Sequence, residues 1–336
     1  MAEKTGLYSV KFKEGINIKS VSSIGGTKEA EGPLSKAFDI TTNDNLYGEK
    51  SWEKAEAKFL KKAFDTALEK GTLPPKKLSY VLAGDLQNQT AASCYAAEGL
   101  HIPFFGLYGA CSTFGESLSL GAALIDGGWG NYVLCGASSH FCAAEKQFRF
   151  PLELGSQRPQ TATTTVTGAG AAVLSKEGSE PVITAVTTGR IVDLSITDAN
   201  NMGAAMAGAA AEVILNHFKD FGTTAEDYDR IFTGDLGYVG SELLYELLYE
   251  KGCDIKAKHR DCGIMIYDRD KQDTHSGGSG CACSAMVFSH IFKKLLTGEY
   301  KKILFAPTGA LMNTTSVSQG QNIMGISHLL KIESRG

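Results

Sequence analysis

Hydrophobic positions along the chain follow two patterns that predict alternating helices and strands. Between positions 52 and 68, apolar residues recur every three or four positions with charged residues between them, which predicts an amphipathic helix that Gly71 terminates. Short apolar runs at 78–84, 102–108 and 132–137 lack polar alternation and predict buried strands. Strands that alternate with helices in this way indicate an α/β fold with mainly parallel strands.

The second half of the chain shows the same order of elements. Helices are predicted at 203–219, from Ser241 onwards and at 281–296, and strands at 229–236 and 302–307. An order of elements that recurs within one chain is the usual sign of an internal duplication.

Two sequence offsets align the halves. At an offset of 150, residues 80–86 fall on 230–236, and both segments contain Gly-Asp-Leu. At an offset of 170, Cys111 falls on Cys281. We therefore predict a duplicated chain with halves at 1–180 and 181–336, each with its own sheet and with helices shared between the two sheets.

Composition narrows the class of protein. The chain has 336 residues, of which 43% are hydrophobic and 21% are charged, as in a soluble globular protein. The net charge of −4 gives no reason to expect a nucleic-acid surface. We read neither a signal peptide nor an apolar run of the roughly 18 residues that a membrane span needs. Eight scattered cysteines indicate free thiols in a reducing compartment.

Cys111 is the first candidate for chemistry. It follows an apolar strand and a glycine turn, and we expect it to open a helix. A thiol at a helix N-terminus is expected to have a lowered pKa and to be reactive. The same geometry also binds carboxylate or phosphate without a nucleophile. The alternative is an inert cysteine in the core.

His275 is the second candidate. It lies in a glycine-rich turn just before the helix that begins near Cys281, so the duplication predicts that its loop meets the loop of Cys111 at one cavity. A Cys–His pair is the minimal equipment for covalent acyl transfer. The alternative is a solvent-exposed turn histidine.

Other motifs give weaker signals. The glycine-rich segments TGAGAAV (167–173) and HSGGSG (275–280) do not match nucleotide-binding fingerprints. Cys281 and Cys283 have no second ligand pair at zinc spacing, so no metal site is predicted. Arg149 and Arg158 could bind an anion or could simply be solvated.

These motifs together resemble the thiolase and ketoacyl-synthase superfamily. GACSTF looks like its nucleophile turn and places Cys111 in the nucleophile position. HSGGSG resembles the thiolase glycine-histidine turn and places His275 on a catalytic histidine, or on the asparagine of the ketoacyl-synthase type. CGASS resembles a loop of the same pocket and contributes Ser138 and Ser139. The resemblance implies a five-layer αβαβα fold built from two duplicated halves, and a homodimer.

Two departures from that superfamily weaken the expectation of catalysis. Where related synthases carry a histidine after the first strand of the second half, this chain has Asp235, and an anion cannot donate the hydrogen bond that stabilises an oxyanion. No cysteine follows Cys283, so the second, acid/base thiol of a thiolase is missing.

Longer blocks, including DANNMGAAMA and APTGALMNTTSVSQGQNI, resemble a family of sporulation proteins from spore-forming bacteria. That resemblance implies a component of the dipicolinic-acid transport system, peripheral to the inner membrane of the developing spore and working with membrane subunits. It implies no resident cofactor. The expected ligand is dipicolinate or its calcium chelate, with calcium bridging Asp235 to the ligand as a hypothesis. The expected ligand-binding residues are Cys111, Ser138, Ser139, Asp235, His275, Gly277 and Gly278.

Three functions therefore remain open at this point. The chain could be a binding protein on a former condensing-enzyme fold, an acyltransferase with Cys111 as nucleophile and His275 as base, or a structural subunit.

Overall fold

A computed structural model describes residues 2–148, 158–179 and 181–335. The strands are β1 (Glu3–Thr5), β2 (Ser9–Gly25), β3 (Ile40–Thr41), β4 (Tyr80–Gly84), β5 (Phe104–Gly106), β6 (Tyr132–Ser139), β7 (Thr164–Thr165), β8 (Gly168–Ser175), β9 (Val182–Thr187), β10 (Arg230–Thr233), β11 (His259–Asp261), β12 (Gly278–Ser279), β13 (Lys302–Ala306), β14 (Thr308–Leu311), β15 (Met324–Ser327) and β16 (Leu329–Glu333). The helices are α1 (Thr27–Ala30), α2 (Trp52–Lys70), α3 (Ala91–Glu98), α4 (Thr113–Asp126), α5 (Phe141–Phe148), α6 (Met202–Phe221), α7 (Gly237–Tyr249), α8 (Cys262–Ile266), α9 (Cys281–Leu296) and α10 (Thr314–Ser318).

The same strand arrangement occurs twice. In the first half the order is β5-β4-β6-β8-β2, and in the second half it is β11-β10-β13-β16-β9. In each half the first three strands are parallel, and the last two pair antiparallel to their neighbours. This repetition agrees with the internal duplication predicted from the sequence offsets.

The two half-sheets are joined, which differs from the expected pair of separate sheets. Strand β2 is 17 residues long. Its first part pairs antiparallel with β9, and its second part, from Asn17 to Gly25, pairs antiparallel with β8. One strand therefore belongs to both halves, and the result is a continuous twelve-stranded sheet.

Helices cover and separate the half-sheets in five layers, as expected. Helices α2 and α3 pack on the outer face of the first half-sheet, and α6 and α7 pack on the outer face of the second. Between the two half-sheets lie α4 and α9, where Phe114 and Phe288 pack with Phe305 in the largest apolar cluster of the described residues. This middle layer also positions the candidate site, because both α4 and α9 begin there.

The predicted elements match the structure closely at their cores. Helix α2 begins after Ser51, whose hydroxyl accepts a hydrogen bond from the Lys54 N–H, and it ends at Gly71. The predicted pairs α2/α6, β4/β10, α4/α9 and β6/β13 all occur as equivalent elements of the two halves.

In the described parts of the chain, no helix combines the length and the apolar character needed to cross a bilayer.

Candidate functional site

Cys111 lies in a tight turn between β5 and α4. We expected Cys111 to open the helix, and this is wrong. Ala110–Ser112 form a short 3-10 turn, and α4 begins directly after it, at Thr113. Ala110 has a φ of +47°, which a residue with a side chain rarely adopts. The Thr113 hydroxyl holds this turn by donating to the Ala110 carbonyl at 2.6 Å and accepting from the Gly109 N–H at 3.0 Å. The turn is therefore built to fix the position of Cys111.

The Cys111 thiol is protonated rather than activated. Only 6% of the residue is exposed, and burial raises the pKa of the thiol well above its ordinary value. The nearby Asp235 carboxylate raises this pKa further. The predicted lowering of the pKa by the helix is thus wrong, because a buried thiol beside a carboxylate is harder to ionise than one in water.

Asp235 reaches Cys111 from the other half of the chain. It follows β10 and lies beside the Cys111 thiol, and its carboxylate accepts hydrogen bonds from the Gly280 N–H at 3.0 Å and from the Thr308 hydroxyl at 3.0 Å. Burial raises the pKa of Asp235 to about 7, and the Asp261 carboxylate adds to this effect. Each carboxylate oxygen has one of these donors and keeps a further lone pair, so the hypothesised calcium bridge stays a prediction.

A second carboxylate holds the loop that carries Asp235. Asp261 caps α8 and accepts hydrogen bonds from the N–H groups of Leu236 and Gly237, at 2.9 and 3.0 Å. Gly237 has a φ of +66°, and a Cβ there would lie 2.1 Å from the Ser276 carbonyl oxygen. The loop is therefore locked against the segment that leads to Ser279 and Gly280.

A small cavity of about 40 Å³ opens beside Cys111. Its wall is mostly apolar, with a few polar groups. The lining residues are Leu86, Tyr108, Ala110, Cys111, Ala144, Glu145, Phe148, Thr165, Met202, Ser279, Gly280, Ala310 and Met312. This volume holds a few water molecules. Two of the lining residues are methionines, whose flexible side chains can rearrange around a larger occupant.

Ser279 is the most informative polar group of this wall. It is 2% exposed, and its hydroxyl has no hydrogen-bond partner. A buried hydroxyl without a partner costs free energy, on the order of 1–3 kcal/mol. The sequence does not single out Ser279 within its glycine-rich motif, because only the fold shows which residue of that motif lines the cavity.

The other predicted ligand-binding residues do not line this cavity. Ser138 donates a hydrogen bond to Glu56, and Ser139 donates to the Val166 carbonyl and accepts from the Ala282 N–H. Gly277 and Gly278 belong to the backbone pairing with β7. These four residues hold the framework of the site rather than its surface.

His275 is not brought into contact with Cys111 in this structure. It is partly exposed and is not among the lining residues of the cavity. The adjacent Ser276 is anchored, since its N–H donates to the Ala162 carbonyl and its own carbonyl accepts from the Tyr238 N–H. That Cys111 and His275 act together as nucleophile and base therefore stays a prediction.

Arginine and acidic side chains meet at the edge of the cavity. Arg158 forms an ion pair with Glu145 at 2.9 Å and stacks over the Phe141 ring at 5.0 Å. Glu145 itself lines the cavity. The other candidate arginine, Arg149, lies outside the described residues. No cluster of three or more His, Cys, Asp or Glu side chains in the described ranges is arranged to hold a metal.

The duplication places a second buried acidic cluster across the middle layer. Asp85 is the equivalent of Asp235, and it lies close to Glu56 and Cys281. Burial raises the pKa of Glu56 to about 8, and the Asp85 carboxylate contributes to that shift. The Cys281 thiol donates to the Ala110 carbonyl at 3.0 Å, so this cluster contacts the turn that bears Cys111.

Several solved structures share this fold. The chain superposes on 3-oxoacyl-[acyl-carrier-protein] synthase III from Aquifex aeolicus with a TM-score of 0.60 and 14% identity, covering 95% of this chain and all of that one. A variant of Xanthomonas campestris OleA gives a TM-score of 0.63 and 15% identity, covering 95% and 98% of the two chains. AbyA1, a tetronic acid condensing enzyme, gives 0.61 and 16%, covering 94% and 99%. At these identities the similarity establishes the thiolase-like fold alone.

Sequence comparison is more specific. The stage V sporulation protein AD of Bacillus subtilis (strain 168) is 45% identical over 333 residues, which cover 99% of this chain and 98% of that protein. The family profile of stage V sporulation protein AD matches residues 6–333. With a match over nearly its full length, the chain belongs to the stage V sporulation protein AD family.

Proposed function

We propose that this protein binds dipicolinate, as its calcium chelate, in the cavity beside Cys111, and serves the dipicolinic-acid transport system of the developing spore. The observation that carries the binding site is the unpartnered, buried Ser279 hydroxyl in a mostly apolar wall. The cavity of about 40 Å³ must widen to admit this ligand, and the flexible Met202 and Met312 side chains in its wall allow that. A flat aromatic ring with a polar edge then suits the wall, because the ring replaces water at the apolar side chains and a carboxylate oxygen accepts from the hydroxyl.

The chelate is favoured over free dipicolinate for an electrostatic reason. Glu145, paired with Arg158, lines the cavity, and Asp235, with a pKa of about 7, lies beside Cys111, so a bare dianion would meet one paired and one partly ionised carboxyl group. In the chelate the calcium ion offsets the charge of the two ligand carboxylates. Calcium is in this proposal part of the cargo rather than a resident metal.

Binding rather than catalysis follows from the state of the thiol. Acyl transfer needs an activated nucleophile, whereas burial and the nearby Asp235 carboxylate both raise the pKa of the Cys111 thiol. The alternative function is an acyltransferase that uses Cys111 with His275. Incubation with a short-chain acyl-CoA separates the two: we expect no acyl adduct on Cys111 by mass spectrometry, and a stable adduct would favour the enzyme.

Titration calorimetry tests the binding proposal directly. The three titrants are dipicolinate alone, calcium alone and the equimolar mixture, and we expect the mixture to bind tightest. Ala144→Leu fills the cavity and should weaken binding by at least about tenfold, because a ligand and the added methyl groups compete for one space. Ala97→Leu is the matched control, since Ala97 is equally buried, at 7% exposure, but lies outside the cavity.

Each outcome decides a part of the proposal. The absence of binding at millimolar concentration, with and without calcium, would overturn it. Equal binding of dipicolinate with and without calcium would overturn the chelate alone.

Assembly and location complete the proposal. We propose that the protein works as a homodimer at the inner membrane of the spore, where other subunits span the bilayer. Co-purification of the chain with the membrane subunits from sporulating cells tests this, and recovery of the chain only in fractions free of those subunits would contradict it.

A further inference from the structure

A second, larger cavity of about 410 Å³ lies on the other side of α4. It is bounded by α4, by the first part of β2 and by the end of β9, and it shares no lining residue with the cavity beside Cys111. Its lining residues are Ala2, Val10, Phe12, Glu116, Ser119, Leu120, Ala123, Asp126, Gly127, Val186, Thr188 and His328. We call it the α4 cavity.

Glu116 is the group in this cavity that lacks a partner. Its Oε2 atom is buried without a hydrogen bond, and neither carboxylate oxygen forms an ion pair within the described residues. The carboxylate lies against the turn that leads to Cys111, since a Cβ on Gly109 would come within 2.7 Å of Oε2. Burial raises the pKa of Glu116, which reflects the cost of keeping this acceptor away from water. A ligand that donates a hydrogen bond would remove that cost.

The charge of the α4 cavity favours a cation. Glu116 lines it with a carboxylate oxygen that has no partner, and no lysine or arginine lines it among the described residues. Asp126 also lines it but is already engaged. Asp126 accepts from the Ala2 N–H at 2.5 Å. His328 accepts from the Gly189 N–H through Nδ1 at 3.3 Å, and burial lowers its pKa, so the ring is neutral. The remaining walls are apolar, with Val10, Phe12 and Leu120 among them.

The duplication supplies a contrast at the equivalent place on α9. At the offset of 170, the α4 cavity residues Leu120 and Ala123 correspond to His290 and Lys293. These line a groove there together with Lys36 and with the ion pair of Lys294 and Glu299, so the groove has more basic than acidic side chains. The two halves therefore share the position of this recess and differ in its charge. The acidic character of the α4 cavity is a property of this half of the chain and not of the repeated fold.

We propose that the α4 cavity binds a small organic ammonium compound with an apolar body. Its ammonium group donates to Glu116, and its hydrocarbon part packs against Val10, Phe12 and Leu120. This site is separate from the proposed dipicolinate site and does not depend on it.

Calorimetry with three matched six-carbon probes tests the proposal on the full chain. We expect n-hexylammonium to bind at least about tenfold tighter than 1-hexanol, because a charge-assisted hydrogen bond is stronger than a neutral one, and hexanoate not to bind at this cavity. Glu116→Gln should remove the preference for the cation. Glu98→Gln is the control, since Glu98 is an exposed residue on α3.

A second variant makes the test independent of how Glu116→Gln folds. Leu120 is 43% exposed, so Leu120→Arg can be accommodated at the surface while it places a positive charge at the cavity. It should abolish hexylammonium binding. Equal affinities for hexylammonium and hexanol, or undiminished hexylammonium binding in either variant, would overturn the proposal.

Discussion

The thiol of Cys111 lies beside the carboxylate of Asp235, a residue from the opposite half of the duplicated chain, and this carboxylate raises the pKa of the thiol. The Asp235 carboxylate raises the pKa of the thiol and so keeps it protonated. The thiol in turn lowers the pKa of Asp235, but burial is the larger effect and raises that pKa to about 7. Cys111, which the sequence resemblance places in the nucleophile position, is thus a thiol with a raised pKa rather than an activated one.

This relationship predicts slow alkylation of Cys111. Iodoacetamide reacts with thiolates, so exposed Cys94 should be modified first and Cys111 at least about tenfold more slowly near neutral pH. Peptide mass spectrometry over a time course measures both rates in the same sample. Cys94→Ser serves as the control for site assignment, and modification of Cys111 at the rate of Cys94 would contradict the buried, protonated thiol.

Ser279→Ala should affect stability and binding in opposite directions. Removing a buried hydroxyl without a partner should leave the free energy of unfolding unchanged or slightly higher. The same change should weaken calcium–dipicolinate binding about five- to tenfold, because the ligand loses a hydrogen bond. Urea denaturation and calorimetry measure the two effects.

Ser284→Ala is the matched control for that experiment. Ser284 is also buried, at 1% exposure, with an unpartnered hydroxyl, but it does not line the cavity. Its removal should not change the affinity. If Ser279→Ala binds the ligand as tightly as the wild type while the wild type does bind, Ser279 is not the anchoring group.

The raised pKa of Asp235 predicts a pH-dependent stability. The carboxyl has a pKa of about 7 in the folded protein and 3.8 in the unfolded chain, so between these values the folded state holds a proton that the unfolded state has lost. The free energy of unfolding should therefore fall as pH rises from about 4 to about 7, with a slope on the order of 1 kcal/mol per pH unit. Asp235→Asn should flatten this slope.

Urea denaturation at about pH 5, 6 and 7 measures the difference between the two proteins. Glu56→Gln provides an internal comparison, because burial raises the pKa of Glu56 from 4.5 to about 8. The stability that the protonated Glu56 contributes is therefore lost as pH rises from about 4.5 to about 8, a range that extends to higher pH than that of Asp235. Identical slopes for the wild type and Asp235→Asn would show that Asp235 is ionised throughout.

Gly170→Ala should destabilise the contact between the first half-sheet and α9. A Cβ at Gly170 would lie 2.4 Å from the backbone carbon and oxygen of Ala285, so the strand and the helix would have to separate. We expect a loss of about 1–3 kcal/mol in the free energy of unfolding, measured by urea denaturation. Gly99→Ala is the control, since nothing lies within 4 Å of its Cβ position, and an equal effect of both changes would contradict the packing argument.

The sequence predicted the repeated elements well because their patterns are local. Amphipathic spacing in α2 and uninterrupted apolar runs in β4 and β6 are visible without knowing the fold. Strand β2 was missed as a single element, since exposed Lys11, Lys13 and Glu14 interrupt its apolar pattern. Tertiary pairing with both halves, rather than local propensity, keeps that strand continuous.

The candidate site could be predicted only in part. Cys111 and Asp235 were singled out from motifs, and the fold places them together. The protonation of the thiol could not be predicted, because it depends on burial and on a neighbour from the other half. Ser279 was missed for a related reason: an unsatisfied hydroxyl is a property of its surroundings and leaves no mark in the sequence.

The length of β2 limits how this molecule can move. The first part of β2 is hydrogen-bonded to β9 of one half, and its second part is hydrogen-bonded to β8 of the other half. A hinge motion between the halves would therefore break backbone hydrogen bonds of this strand. The proposed ligand would then reach the cavity beside Cys111 through rotations of side chains such as Met202 and Met312, or through small loop shifts, while the sheet stays unchanged. The shared strand thus holds the two halves as one rigid unit.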